Sequence, residues 1–329
     1  MKRYLYFIIL LSSVVGMCAQ DKYDIHKDFA RACKITPPLS KGVMEIGNFF
    51  LDVMPKGMHS TAHLQIDEVE VQSSIDKHGI KCWVITPCCH ADVSDTTSSS
   101  RSCYLFLHGG GFVFKGAPYH YQLAKEYAMR TGAVIVFVDY RMAYNHDYGV
   151  PLQDCIDAWN WIGQHALQIG VDVSKTGIMG DSAGGFLAIK TMLYSLNSPK
   201  YIPNALMLVY PVVDCSMRTQ SMAQFTDTPV WNAELNKKMW QYYLGDSVES
   251  SLLDVPKEVL SLFPPTYIET AQYDCLRDEA WLFAQLLSHA GVPTTYVDTQ
   301  HTMHGFDMVQ KSEITQSQIA MRCKWIGAK

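Results

Sequence analysis

The residue best suited to catalysis is a serine that lies between two glycines. Residues 180–185 read GDSAGG, which places Ser182 in a G-x-S-x-G pattern. In this pattern a strand turns sharply into a helix, and the small flanking residues leave the serine hydroxyl accessible. The mostly apolar residues 176–179 predict the strand, and residues 183–196 predict the helix. We therefore predict that Ser182 is a nucleophile for acyl transfer.

A second glycine-rich segment, HGGGF at residues 108–112, directly follows an apolar run at 103–107. Consecutive glycines let backbone N–H groups face a ligand without intervening side chains, as an oxyanion hole requires. The G-x-G-x-x-G pattern of a dinucleotide site is absent, so the segment does not favour a phosphate-binding loop. We expect it to stabilise the negative charge that forms when a carbonyl is attacked.

A carboxylate and an imidazole follow nearer the carboxyl end. Asp274 lies in the sequence DCLRDE at 274–279, and His304 begins the sequence HGF. The order serine, aspartate, histidine is one of those known for Ser-His-Asp triads, in which the imidazole takes the serine proton and the carboxylate orients the imidazole. Asp278 and His301 are nearby alternatives. We favour Asp274 because Asp278 falls in the first turn of a predicted helix, where an acid interacts favourably with the helix dipole.

Strands and helices must alternate to position these residues. Short apolar runs predict strands at 103–107, 133–138, 176–179, 205–209, 267–270 and 295–297. Helices are predicted at 121–130, 152–169, 183–196, 278–290 and 313–326. This alternation is typical of a parallel sheet with helices on both faces. Two earlier segments, 64–71 and 80–86, predict an antiparallel pair at the edge, which makes an eight-stranded, mostly parallel sheet.

Two segments lack clear strands and predict a helical cap. Residues 21–62 contain short helical stretches with breaks, and residues 215–262 interrupt the strand–helix alternation. Folds of this type bind ligands at the carboxyl edge of the sheet, which we expect these segments to cover. We expect substrate contacts from aromatic residues of this region and of HGGGF, namely Phe112, Trp231, Trp240 and Tyr243. The alternative is that these aromatic side chains only form the core of the cap.

Together these motifs resemble the hormone-sensitive-lipase-like esterases of the α/β-hydrolase superfamily. HGGGF, GDSAGG, DCLRDE and HGF occur in family order across roughly residues 100–310. The resemblance implies an α/β-hydrolase fold and hydrolysis of esters with short acyl chains. It also implies oxyanion donors at the backbone N–H groups of Gly110, Gly111 and Ala183, and a role for Asp181 in holding the HGGG loop. Cys275 departs from the proline usual after the catalytic aspartate, which leaves the substrate preference more open than the reaction type.

Other functions remain open at this stage. The same triad serves deacetylases of acetylated sugars or polysaccharides, and also amide or peptide hydrolases. A non-enzymatic binding member of the fold is disfavoured, because such proteins usually lose a triad residue and this chain keeps all three. Acyl transfer by a triad requires neither a cofactor nor a metal, so we expect none.

The first 19 residues predict export. Lys2 and Arg3 precede an apolar run at 4–15 and then small residues up to Ala19, as in a secretory signal peptide. The run is shorter than the roughly 20 residues of a membrane span. We expect cleavage after Ala19, which leaves residues 20–329 as a secreted or extracytoplasmic catalytic domain. The alternatives are a lipoprotein anchored to the membrane at Cys18, and a retained N-terminal helix or anchor.

The composition is that of a globular enzyme. The chain has 329 residues, which suits one large α/β domain, and a formal net charge of −5, which gives no sign of nucleic-acid binding. The sequence Cys88-Cys89-His90 suits neither a common disulfide nor a zinc knuckle. We expect a small-molecule ester as the partner, and the sequence does not define disulfide pairing or the oligomeric state.

Overall fold

An eight-stranded sheet organises the computed structural model, which describes residues 22–88, 101–197 and 200–328. The strands are β1 (Leu64–Gln72), β2 (Gly79–Pro87), β3 (Arg101–Leu107), β4 (Val134–Val138), β5 (Val171–Asp181), β6 (Ala205–Val209), β7 (Thr266–Tyr273) and β8 (Thr294–Met303). Their order in the sheet is β1-β2-β4-β3-β5-β6-β7-β8. β2 pairs antiparallel with β1 and with β4, and all other pairs are parallel. The predicted eight-stranded, mostly parallel sheet is therefore confirmed.

Helices cover both faces of this sheet. They are α1 (Lys41–Val53), α2 (Pro118–Thr131), α3 (Val150–His165), α4 (Ala183–Asn197), α5 (Gln220–Gln224), α6 (Ala233–Leu244), α7 (Lys257–Leu260), α8 (Arg277–His289) and α9 (Glu313–Gly327). Successive residues of β4 join different hydrophobic clusters, because neighbouring side chains of a strand point to opposite faces. Val134, Val136 and Val138 join the larger cluster, whereas Ile135 and Phe137 join the one that contains α2 and α9 residues.

The order of the elements brings several loops to one edge of the sheet. The parallel strands β3, β5, β6, β7 and β8 end at the same edge, so the segments that follow them lie near one another. β8 extends to Met303, well beyond the predicted residues 295–297, and so places His304 immediately after a strand. Its side chains are mostly partly exposed, as at a sheet edge, which explains why its sequence lacked a clear apolar run.

The two predicted cap segments contact each other. Residues 21–62 contain α1 and two short 3-10 turns, and residues 215–262 contain α5, α6 and α7. The Val230 N–H donates to the Ile35 carbonyl at 2.8 Å, and Tyr23 packs against Phe225 with ring centroids 5.9 Å apart. Their joint assignment as a cap stays a prediction.

Several expectations fall on residues outside the described ranges. The signal peptide, the lipidation alternative at Cys18, and Cys89 with His90 all lie there. Among the described residues, seven cysteines are free thiols, namely Cys82, Cys88, Cys103, Cys155, Cys215, Cys275 and Cys323. Across the described part of the chain, every helix is too short or too polar to span a bilayer.

Candidate active site

Ser182 occupies a strained turn between β5 and α4. Its backbone φ is +55°, a left-handed conformation that is uncommon for residues other than glycine. A side chain at Gly180 would overlap the carbonyl group of Gly184, and one at Gly184 would overlap the carbonyl group of Leu107. The two glycines of the predicted motif are thus required by the tight approach of these backbone segments, which presents the serine hydroxyl at the edge of the sheet.

The structure brings the three predicted triad side chains together. Ser182 Oγ lies 2.8 Å from His304 Nε2, and His304 Nδ1 lies 2.6 Å from Asp274 Oδ2. Because a carboxylate only accepts hydrogen bonds, Nδ1 is the donor, and Nε2 of the neutral ring is free to accept from the serine hydroxyl. All three side chains are buried. This arrangement can draw a proton from Ser182 as its oxygen attacks an electrophile.

The two alternatives named from the sequence lie elsewhere. The carboxylate of Asp278, in the first turn of α8, accepts from the Ser221 N–H at 2.8 Å and pairs with Arg277 at 3.0 Å. His301 is half exposed and pairs with Asp24 at 3.0 Å. Neither side chain is bonded to Ser182 or His304 within the described residues, so the geometry selects Asp274 and His304.

The HGGG loop lies beside the nucleophile. Gly110 and Gly111 both have positive φ, +120° and +60°, and a side chain at Gly110 would overlap the Phe114 carbonyl. The N–H groups of Val113 and Phe114 donate to the Gly110 carbonyl at 3.1 and 2.9 Å, which closes a tight turn. Ala183 begins α4 directly after Ser182. The three predicted oxyanion donors are therefore on segments that flank the serine.

His120, which belongs to none of the sequence motifs, helps to hold this loop. His120 Nδ1 accepts from the Ala117 N–H at 2.9 Å, so its Nε2 carries the proton that is donated to Asp181 Oδ2 at 3.0 Å. Burial alone would raise the pKa of Asp181, but His120 and the hydrogen bond from the Gly109 N–H lower it. Asp181, which precedes the nucleophile, thus bonds to the start of the HGGG loop. The role that the family resemblance implied for Asp181 agrees with these contacts.

His108, the residue that begins HGGGF, packs inside the fold and has a structural role. Burial lowers the pKa of His108 to about 3, so the ring is neutral at physiological pH. It stacks on Tyr140 with centroids 4.4 Å apart, and the Tyr140 hydroxyl donates to the His108 carbonyl at 2.7 Å. Cys275, where the family has a proline, is also buried. Burial raises the pKa of its thiol, which therefore stays protonated and unreactive.

The four predicted substrate-binding aromatic residues separate into two groups. Phe112 stacks on Tyr243 with centroids 4.1 Å apart, and Trp240 packs against both in one buried cluster. Trp231 instead lies 6.1 Å from the His304 ring, and a side chain at Gly111 would come within 2.7 Å of its Cη2 atom. Its Nε1 donates to Asn236 at 3.2 Å. The structure therefore places Trp231 beside His304 and Gly111, and the other three aromatic side chains in one packed cluster.

The comparison with known protein families agrees with this architecture. The sequence model of the alpha/beta hydrolase fold family matches residues 104–308, a span that contains Ser182, Asp274 and His304. The chain belongs to this family. The predicted membership of the hormone-sensitive-lipase-like α/β hydrolases is confirmed by this match together with the relatives below.

Relatives of this α/β hydrolase carry esterase names. Esterase LipI of Mycobacterium tuberculosis (strain ATCC 25618 / H37Rv) is 31% identical over 208 residues, which cover 61% of this chain and 64% of LipI. The ethyl acetate hydrolase of Pseudomonas putida is 27% identical over 216 residues, which cover 64% of this chain and 68% of that protein. The match thus spans less than two thirds of LipI. The structure of a bacterial heroin esterase superposes with a TM-score of 0.81 at 26% identity, covering 92% of this chain and 97% of the other.

Proposed function

We propose that this chain is a serine carboxylesterase that hydrolyses esters of short-chain acids through an acyl-enzyme intermediate. The observation that carries the proposal is the continuous hydrogen-bonded line from Ser182 Oγ through His304 to Asp274, with distances of 2.8 and 2.6 Å. The esterase names of the relatives support the same reaction class.

In the first half of the proposed reaction, Ser182 Oγ attacks the ester carbonyl carbon while His304 Nε2 accepts the hydroxyl proton. The Asp274 carboxylate stabilises the imidazolium that forms. The N–H groups of Gly110, Gly111 and Ala183 donate to the oxyanion of the tetrahedral intermediate, where the loss of one donor typically costs about 3 kcal/mol. His304 then gives the proton to the departing alkoxide, and the acyl group remains on Ser182.

The second half repeats these steps with water as the nucleophile. His304 Nε2 takes a proton from water as the water oxygen attacks the acyl carbon, and it returns the proton to Ser182 Oγ as the acid leaves. Trp231 limits the space near the HGGG loop, because it approaches both Gly111 and His304. We therefore propose that short acyl groups are preferred.

The reaction class is tested with a panel of p-nitrophenyl esters, an acetylated sugar and an aminoacyl arylamide. We expect turnover of the short-chain esters and none by Ser182→Ala. The matched control is Ser174→Ala, which removes an exposed hydroxyl from the same strand and should leave kcat unchanged. Undiminished hydrolysis by Ser182→Ala would overturn the assignment, and turnover restricted to the arylamide or the sugar ester would redirect the substrate class.

We also propose that residues 1–19 form a cleaved signal peptide and that the remaining chain is exported. The support is the positive start, the apolar run and the small residues before position 20. The intact mass of the protein recovered outside the cytoplasm is expected to correspond to a chain that begins at Gln20. A lipid-modified Cys18 or a retained N-terminus would contradict cleavage after Ala19.

A further inference from the structure

The HGGG loop, which supplies two of the proposed oxyanion donors, has an unfavourable backbone conformation. Gly110, Gly111 and Phe112 have consecutive positive φ values of +120°, +60° and +61°. Phe112 carries a side chain, so the left-handed conformation is strained at this residue. Such a conformation persists only where the surrounding structure holds it. The alignment of the N–H groups in this loop therefore depends on contacts from other segments.

Contacts from other segments hold the loop at its start and in its middle. At the start, the Gly109 N–H donates to the carboxylate of Asp181. In the middle, the Phe112 carbonyl accepts from the Ala143 N–H at 2.8 Å. The residues that directly follow the loop lie against helix α1 of the N-terminal segment.

Asn48 of α1 contacts these residues through both ends of its side-chain amide. Its Nδ2 donates to the Val113 carbonyl at 2.7 Å, and its Oδ1 accepts from the Lys115 N–H at 2.8 Å. Asn48 is 3% exposed, so water hardly competes for these bonds. Because the carbonyl only accepts and the N–H only donates, the orientation of the amide is fixed. Neither leucine nor an ionised aspartate at this position can make both bonds.

The residues that Asn48 holds are themselves bonded to the oxyanion loop. The N–H groups of Val113 and Phe114 donate to the Gly110 carbonyl at 3.1 and 2.9 Å. This carbonyl and the Gly111 N–H belong to one planar peptide group and point in opposite directions. Any contact that fixes the Gly110 carbonyl therefore also fixes the direction of the Gly111 N–H.

Helix α1 is packed closely enough to act as a support for this segment. A side chain at Gly47 would come within 3.0 Å of the Phe114 ring, so the glycine permits the close approach of the helix. Met44, one turn before Asn48, is completely buried. The bonds of Asn48 thus connect the loop to an anchored helix.

We propose that Asn48 is a positioning residue for the oxyanion hole. Through Val113 it holds the peptide group between Gly110 and Gly111 in the orientation that directs the Gly111 N–H towards the oxyanion. The oxyanion hole is then complete only while α1 lies against the loop. Asn48 acts through the loop and does not itself bind the substrate. This inference rests on the proposed function, because the oxyanion donors are part of it.

Asn48→Leu approximately keeps the size of the side chain and removes both bonds. We expect kcat on a short-chain ester to fall by on the order of 10²-fold with little change in KM, as for misplacement of a reacting group by about 1 Å. A trifluoromethyl ketone inhibitor reports on the hole directly. When Ser182 Oγ adds to its carbonyl carbon and His304 accepts the proton, the carbonyl oxygen becomes an oxyanion in the hole. The affinity for this inhibitor should therefore fall by the same factor as kcat.

Asp52→Leu is the matched control on the same helix. Asp52 lies one turn after Asn48, is partly exposed, and pairs with the Lys115 Nζ at 2.8 Å rather than with the loop backbone. Both kcat and the inhibitor affinity of this variant should stay within about twofold of wild type. Equal losses in Asp52→Leu and Asn48→Leu would overturn the proposal, as would an unchanged inhibitor affinity in Asn48→Leu.

Asn48→Asp tests the bond to Val113 by itself, and it decides the question if Asn48→Leu does not fold. An ionised carboxylate can accept from the Lys115 N–H but repels the Val113 carbonyl, whereas a protonated carboxyl group can donate to that carbonyl. The ratio of the kcat of Asn48→Asp to the wild-type kcat at the same pH should therefore rise as the pH falls. A ratio that does not change with pH would contradict the role of this bond.

Hydrogen exchange measured by mass spectrometry separates this inference from the proposed function. We expect the amides of residues 113–115 to exchange faster in Asn48→Leu than in the wild type, while exchange in β5 stays the same. Uniformly faster exchange along the chain would show that Asn48 only supports global stability, and would overturn the proposal. A wild-type protein without ester turnover would instead contradict the proposed function, and the exchange result would be unaffected.

Discussion

At the scale of single residues, the backbone of Ser182 is held in place by its neighbours. A left-handed conformation costs a residue with a side chain about 1–3 kcal/mol. Ser182 N–H donates to the Val209 carbonyl at 2.9 Å, and its own carbonyl accepts from the N–H groups of Gly185 and Val212 at 2.9 and 3.0 Å. These bonds attach the turn to the end of β6 and to α4. The nucleophile is therefore preorganised before any substrate binds.

Asp274 and Asp278 form a matched pair for testing the orienting carboxylate. Asp274→Asn should lower kcat on a short-chain ester by on the order of 10⁴-fold, because an amide can no longer enforce the His304 tautomer; the magnitude is that known for another serine hydrolase. Asp278→Asn removes a carboxylate four residues away that bonds to Ser221 rather than His304, so its kcat should remain within a few-fold of wild type. Similar losses in the two variants would contradict the assignment of Asp274.

The residues that could be predicted from the sequence are those whose motifs are local. Ser182 and Gly110 lie within short patterns in which the backbone geometry itself demands small residues. His120, Asp307 and Arg322 could not be found, because their roles depend on contacts between distant segments. The bond between His120 and Asp181, for example, joins residues 61 positions apart.

At the scale of elements, the insertion at residues 215–262 positions Trp231. Val230 adopts φ of +68°, and its N–H is held by the Ile35 carbonyl of the N-terminal segment. The turn directs the indole over Gly111 and His304. The aromatic composition of the insertion did not distinguish this residue from Trp240 and Tyr243, because all three occur in one apolar, helix-rich stretch. The position of Trp231 apart from Trp240 and Tyr243 depends on how the N-terminal segment packs against the insertion.

Truncation of Trp231 should therefore change acyl-chain selectivity. Trp231→Ala opens space beside the HGGG loop, and we expect the ratio of kcat/KM for octanoate over acetate esters to rise by on the order of tenfold, since each added methylene can then be accommodated. Steady-state kinetics on p-nitrophenyl esters measure this ratio. Trp281→Ala, which removes a half-exposed indole from α8, is the control and should leave the ratio unchanged. An unchanged ratio in Trp231→Ala would show that Trp231 does not limit the length of the acyl group.

At the scale of the whole molecule, buried ion pairs connect helix α9 to the edge of the sheet that carries the triad. Arg322 of α9 is fully buried and bonds to Glu269 of β7 through Nε and Nη2, at 2.8 and 2.7 Å. It also bonds to Asp307 on the His304 loop. The same guanidinium thus joins α9, strand β7 and the loop that carries His304, so that folding of α9 and assembly of the site are coupled.

Removal of this guanidinium should destabilise the fold. Arg322→Met leaves two buried acids without their cation, and we expect the free energy of unfolding to fall by about 3–5 kcal/mol. Arg130→Met breaks the partly exposed pair of Arg130 with Glu126 and should cost about 1 kcal/mol or less. Chemical denaturation of both variants compares them directly. Equal losses of unfolding free energy in the two variants would show that the buried ion pairs of Arg322 contribute no more to stability than the partly exposed pair of Arg130.

The architecture as a whole was predictable because it depends on pattern rather than on detail. Alternating strands and helices specified a mostly parallel sheet, and the period of two in β1 and β2 specified the antiparallel edge. The extent of β8 was missed, since an edge strand with partly exposed side chains carries a weak apolar signal. β8 nevertheless ends directly before His304 and so positions it. The sequence therefore predicted the base more securely than the strand that positions the base.

The central claim, that Ser182 is the nucleophile of an ester hydrolase, is tested most directly by mapping a covalent adduct. The protein is treated with a fluorophosphonate, digested, and its peptides are analysed by mass spectrometry. We predict a single adduct on the peptide that contains Ser182, formed in step with the loss of esterase turnover and absent from Ser182→Ala. An adduct on a different residue, or complete survival of ester hydrolysis without labelling of Ser182, would contradict the account.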